Sequence, residues 1–170
     1  MSLFVAVTNG TTASVENDSQ KQLTTSGAYI HRYFRLGGSF SHNSDASSKR
    51  DITGAFAGFN LGPLSILGEV DYIFNRLKDP TSGSTDLPNQ FVGYVEANLW
   101  ATRGLNAKVT YGYHDPDRSV NENQRIRMRF GVEWFPISFV QLAGFYTLLE
   151  DIPQVSTDVD VVSLELHPFF

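Results

Sequence analysis

The sequence predicts an all-β fold, an antiparallel up-and-down β-barrel of about ten strands, from three observations. Apolar and polar residues alternate with period two along most of the chain, the spacing that separates the two faces of a strand. Short turn-like connections alternate with longer polar ones. The last segment, "VVSLELHPFF", keeps its apolar alternation to a final aromatic residue, where a soluble domain usually frays into polar residues.

Taken in order, strands are expected at 2–8, 22–34, 38–43, 51–60, 64–77, 89–102, 105–114, 124–135, 139–150 and 159–170. In the fifth, Leu64, Ile66, Gly68, Val70, Tyr72 and Phe74 oppose Ser65, Leu67, Glu69, Asp71, Ile73 and Asn75. The sixth sets Phe91, Val95, Ala97 and Leu99 against Gln90, Tyr94, Glu96 and Asn98, and the seventh sets Ala107, Val109, Tyr111 and Tyr113 against Asn106, Lys108, Thr110 and His114. Alternation is sharpest in the eighth, where Ile126, Met128, Phe130, Val132 and Trp134 oppose Arg125, Arg127, Arg129, Gly131 and Glu133. The last sets Val162, Leu164, Leu166 and Phe170 against Ser163, Glu165 and His167. Two early segments, "AYIHRYFR" and "DITGAFAGF", do not resolve into faces. Short turns are expected at Arg35 to Gly38, Asn60 to Pro63, Thr102 to Leu105 and Phe135 to Ser138. Longer connections are expected at Asn9 to Gln20, Asn43 to Arg50, Lys78 to Asn89, Asp115 to Asn123 and Asp151 to Asp158. All short turns then fall at one end of the sheet and all long ones at the other.

Composition narrows the function classes. The 170 residues suit one domain, 1–170, and neither the 41% hydrophobic nor the 18% charged share marks a disordered chain. No run is long and apolar enough for a membrane-crossing helix, but a crossing strand needs only about 9 to 11 residues, of which alternate ones face lipid. With no cysteine, disulfides and thiolate chemistry are excluded. A net charge of -5 and scattered basic residues give no reason to expect nucleic acid. His31, His42, His114 and His167 lack metal-ligand spacing, and no phosphate-binding or dinucleotide motif occurs, so no cofactor is expected. Met1 leads into "SLFVAVTNG" without the features of a secretion leader; an exported form is expected to be a mature chain or a piece of a longer one.

With short turns at one rim, long loops at the other, an even strand count and an apolar stripe on alternate residues, the chain resembles the porin-like outer-membrane β-barrel proteins of Gram-negative bacteria. The resemblance implies a transmembrane barrel in the outer membrane, with the bilayer and the outer-membrane assembly machinery as partners. Val162, Leu164, Leu166 and Phe170 resemble that superfamily's C-terminal assembly signal, although Pro168 stands where an aromatic residue is usual. The C-terminal strands of a larger porin-like barrel would share the pattern. Aromatic residues form two belts, one near the short turns (Phe59, Trp100, Trp134, Phe135, Phe139, Phe169) and one toward the long loops (Tyr72, Phe74, Phe91, Tyr111, Tyr113, Tyr146).

In such a barrel lipid expels charge, so Glu69, Asp71, Glu96, Lys108, Arg125, Arg127, Arg129, Glu133 and Glu165 are expected to line the lumen. A basic stripe on the seventh and eighth strands facing acidic residues on the fifth and sixth either orients small polar solutes and ions or closes into a salt-bridged plug. The expected function is a narrow porin-like channel or a structural barrel, without catalysis. Two alternatives compete. A rim hydrolase, as in the omptins, would join His114 or His42 to carboxylates such as Asp115 and Asp117, although "DPD" is also a turn former. A soluble lipocalin-like calyx would instead turn Phe130, Val132 and Trp134 inward.

Overall fold

Once neighbouring strands pair, alternation leaves each strand with one register that keeps its apolar side chains on a common face. The computed structural model describes residues 1–9, 21–44, 48–77, 87–152 and 159–169, and in it most strands follow that rule. Its strands are β1 (Ser2–Asn9), β2 (Lys21–Ile30), β3 (Phe34–Ser44), β4 (Ser48–Leu61), β5 (Leu64–Leu77), β6 (Gln90–Thr102), β7 (Leu105–Asp115), β8 (Arg125–Ile137), β9 (Val140–Asp151) and β10 (Val159–Pro168). They form one ten-stranded sheet in chain order. Every neighbouring pair is antiparallel. Among the described residues β1 contacts β2 and β10 contacts β9, and these outer strands carry the most exposed side chains of the apolar face, Leu3 at 75% and Leu164 at 87%.

Register sorts the side chains. One face carries Leu36, Ala57, Val95, Tyr111, Met128 and Leu148 in a continuous row. It also carries Val109, Phe130, Tyr146 and Val162. The ionisable groups on this face, among them His42, Asp51, Asp115, Glu150 and Asp160, stand toward the strand ends that meet the longer connections. The other face is mostly polar, yet it holds most of the buried side chains, Ala28, Ile73, Ala143, Phe145 and Thr147, with Asp115 the buried one on the apolar face. Crowding of that kind marks the inside of a curve. The half-exposed apolar residues therefore lie on the convex side, where Phe130, Val132 and Trp134 stand at 44%, 50% and 49% exposure. A calyx required these three inside, and the structure places them outside.

Two of the expected turns move. The first lies at His31–Tyr33, closed by the His31 N–H donating to the Phe34 carbonyl at 2.7 Å, so Arg35 to Gly38 are strand. Gly37 belongs in the strand because the Phe56 ring lies across it, in space a side chain there would fill. The expected turn at Phe135 to Ser138 becomes strand with a register shift between Trp134 and Ile137, and the chain reverses at Ser138–Phe139. The shift accommodates Pro136, which has no N–H to give a ladder. Turns at Gly62–Pro63 and Arg103–Gly104 fall where expected, with φ of 74° at Gly62 and 76° at Gly104, values that favour glycine. The expected long connection at Asn43 to Arg50 is shortened from both sides, because β3 runs to Ser44 and β4 begins at Ser48. The other segments expected as long loops lie wholly or partly outside the described residues, apart from the connection between β7 and β8, residues 116–124.

The polar face repeats one packing device. On β3 and on β8 an Arg-x-Gly sequence lies beside a Phe that registers directly opposite the glycine: Gly37 faces Phe56 and Gly131 faces Phe145. The ring fills the glycine's space, and the arginine stacks on it, with Arg35 Cζ 5.0 Å from the Phe56 centroid and Arg129 Cζ 3.8 Å from that of Phe145. Gly131→Val is expected to lift Phe145 and destabilise the sheet by about 1–3 kcal/mol, the range for overpacking. The check is the urea midpoint of the folded protein in lipid vesicles; an unchanged midpoint would remove the device from the account.

Candidate functional site: the polar face

Glu69 and Asp71 of β5, Glu96 of β6, Lys108 of β7, Arg125, Arg127, Arg129 and Glu133 of β8, and Glu165 of β10 all share the polar face. Period two places them there, since each is an even number of residues from another polar-face residue on its strand. Val162, Leu164 and Leu166 share the apolar face; Phe170 lies outside the described residues.

Ion pairs on the polar face run along the wall, between nearby strands. Lys108 Nζ is 3.0 Å from Glu133 Oε1, Arg125 Nε is 3.6 Å from Asp151 Oδ1, and Arg129 reaches Glu165 at 3.5 Å. His167 joins the same Glu165 at 3.2 Å. Glu96 is held by its own strand: Asn98 Nδ2 donates to Oε1 at 2.6 Å and the Tyr94 hydroxyl donates to Oε2. Asp71 lies across Gly54 beside the Ser39 hydroxyl.

Arg127 differs. Its register neighbours are Gly112 on β7 and Leu149 on β9, neither of which offers a side-chain acceptor. Among the described residues it has no ion-pair or hydrogen-bond partner. One register row of the polar face reads Glu69, Tyr94, Gly112, Arg127 across β5 to β8. At about 4.8 Å per strand, the backbone positions of Glu69 and Arg127 stand about 14 Å apart along it. The acidic and basic stripes expected from the sequence are thus present on one face, and the pairs found in the basic sector lie within β7 and β8 or join them to β9 and β10 rather than to β5.

The residues considered for rim catalysis are placed apart. His114 lies on the polar face opposite Arg125 and Val92, whereas Asp115 registers with Phe91 on the other face. "DPD" is a turn: the Asp117 N–H donates to Asp115 Oδ1 at 3.2 Å, and the Ser119 hydroxyl and N–H donate to Asp117 at 2.6 and 2.9 Å. The Ser119 hydroxyl bond, followed by its N–H, holds the exposed Asp117 carboxyl below its ordinary range. His42 does meet a carboxylate, Asp51 at 2.5 Å, but as a direct cross-strand neighbour on the apolar face toward the rim. No group of three or more metal-binding side chains occurs among the described residues.

Aromatic residues of both expected belts stand on the apolar face, including Phe59, Trp134, Tyr72, Phe91 and Tyr113, with Tyr72 and Phe74 centroids 4.3 Å apart. Trp100 departs from this, sharing the polar face with Asn106. Sequence reading missed Tyr29 and Phe34, whose rings meet at 6.0 Å beside the relocated first turn. It also missed Phe56 and Phe145, two large rings on the polar face; the Arg-x-Gly sequences were the available signal.

A sheet with this topology and sidedness has a counterpart among solved structures. The anion-selective porin from Comamonas acidovorans superposes with a TM-score of 0.66 at 13% identity, over 92% of this chain and 46% of that chain. The fold is porin-like. This chain spans less than half of that porin's length. No protein-family model and no curated protein sequence matches. At this identity the likeness carries the sheet alone.

Burial separates the ion pairs of this porin-like sheet. Lys108 and Glu133 side chains are 26% and 15% exposed, against 65% and 36% for Arg125 and Asp151. Lys108→Met is therefore expected to cost about 1–3 kcal/mol, because Glu133 is left half-desolvated, and Arg125→Met at most about 1 kcal/mol. Equal shifts in the two variants' urea midpoints would contradict this ordering.

Proposed function

We propose that the chain forms the wall of an outer-membrane, porin-like channel for small polar solutes or ions, with the bilayer against its convex face and the solute path against its polar face. Its sidedness carries the reading: across ten registered strands, one exposed face is predominantly apolar while the charged side chains, except toward the rims, share the other. Water would reward the opposite arrangement; hydrocarbon requires this one, because it solvates neither charge nor unpaired backbone. Strands of 13 or 14 residues, as in β4, β5, β6 and β8, exceed the roughly 9 to 11 a tilted crossing needs. Belts of aromatic residues toward both rims suit the two interfaces. In this reading β10, with Val162, Leu164, Leu166 and Phe170, presents the strand read by the assembly machinery. No chemical step is required of any residue.

Two measurements test it. Reconstituted in planar bilayers, the intact protein is expected to pass small-ion current in discrete steps; its absence would sink the channel. Phe130→Arg on the convex face is expected to cost about 2–4 kcal/mol in vesicles, and Ser163→Arg at a similar level on the polar face much less. A smaller penalty at Phe130 than at Ser163 would place lipid on the wrong side.

A further inference from the structure

Glycines on the polar face ordinarily make room for a neighbour. Phe56 occupies the space over Gly37, Asp71 that over Gly54, and Phe145 that over Gly131. Gly112 is different, since a Cβ built there would meet nothing nearer than the backbone carbonyl and Cβ of Arg127 at 3.8 Å. The space above it belongs to a hollow of about 500 Å³ whose wall includes Tyr94, His114, Arg125 and Arg127. That volume lies within the range of small-molecule sites.

From this geometry we infer that the Gly112 hollow is a binding site for a small oxyanion, a carboxylate or a phosphate, received by Arg127. The inference rests on the channel reading for its access, since the hollow opens on the proposed solute path. Arg127 is the partner because the wall leaves its donors free: Gly112 and Leu149 flank it, while Arg125 is paired with Asp151 and Arg129 is stacked on Phe145 and paired with Glu165. A guanidinium presents a planar fork of N–H donors that matches two oxygens at once, which a neutral or cationic solute cannot use. Arg125 and His114, opposite each other in register one pair nearer the rim, add positive charge and a donor above it. The Tyr94 ring bounds the hollow on the β6 side, and its hydroxyl is committed to Glu96, so it supplies a flat apolar flank. Asp151 and Glu150 also line the hollow; Asp151 is met by Arg125, and Glu150 registers with Ile126 on the apolar face.

The test uses inorganic phosphate as the probe on the intact protein, wild type, Arg127→Gln and Gly112→Leu, each first shown to be folded by its resistance to unfolding in detergent. In bilayers bathed in KCl, phosphate is expected to reduce the wild-type current saturably. The apparent affinity should fall about tenfold in Arg127→Gln, for the loss of a charge-assisted partner, and by a similar factor in Gly112→Leu, which keeps the charge but fills the hollow. Equal affinity in wild type and Arg127→Gln overturns the site and leaves the channel standing. If no current is seen, calorimetry in detergent separates the readings: phosphate binding lost in Arg127→Gln supports the site while the channel fails, and no binding by wild type overturns both.

Discussion

The constraint on which this structure depends is parity. Every strand pairs with the next, and every pairing keeps even and odd positions on opposite sides. A slip of one residue anywhere would carry a whole strand's charges onto the apolar face. In water a slip of this kind is costly on one side; in hydrocarbon it is costly on both, because the ladder that satisfies the backbone and the side chains that satisfy the lipid are fixed by the same register. The device that tolerates irregularity is confined to the turn ends: the register shifts lie at Trp100–Thr102 and Trp134–Ile137, next to short turns, where a bulge changes direction without disturbing the faces beyond it.

Parity also explains what the sequence discloses. β5 to β8 read cleanly because their polar-face positions carry charge, as in Arg125, Arg127 and Arg129, while their partners carry Met128, Phe130 and Val132. β3 and β4 read poorly because their polar face holds Gly37, Gly54, Phe56 and Gly58, residues whose polarity says nothing about sidedness. "AYIHRYFR" resisted assignment for another reason: the reversal at His31–Tyr33 falls inside it, so no single alternation runs through. Gly37 and Gly38 look like a turn in one dimension, but Gly37 is a packing site in two, since its decisive neighbour, Phe56, is supplied by the next strand.

The chemical content of the polar face lies further from the sequence. Which charges are on it follows from period two; which of them are spent on one another depends on the strand pairs and on reach across them. Arg129 and Arg127 are two residues apart and look equivalent in "RIRMRF". Arg129 is laid against the wall by Phe145, opposite Gly131, and closed by Glu165 two strands away. Arg127 meets Gly112 and Leu149 instead.

A wall built this way keeps most of its large side chains flat. Phe56 and Phe145 lie across glycines, Arg35 and Arg129 lie on those rings, and the remaining pairs tie one strand to a near neighbour. Such packing lets a polar face be both rigid and thin, because little of it projects toward the centre of curvature. In the channel proposed above, the groups left without a wall partner would set the chemistry a passing solute meets. Paired charges contribute dipoles that decay over a short distance, whereas an unpaired guanidinium contributes a full charge. Arg127 is thus a guanidinium of the polar face without a wall partner among the described residues, three strands from Glu69 in the same register row.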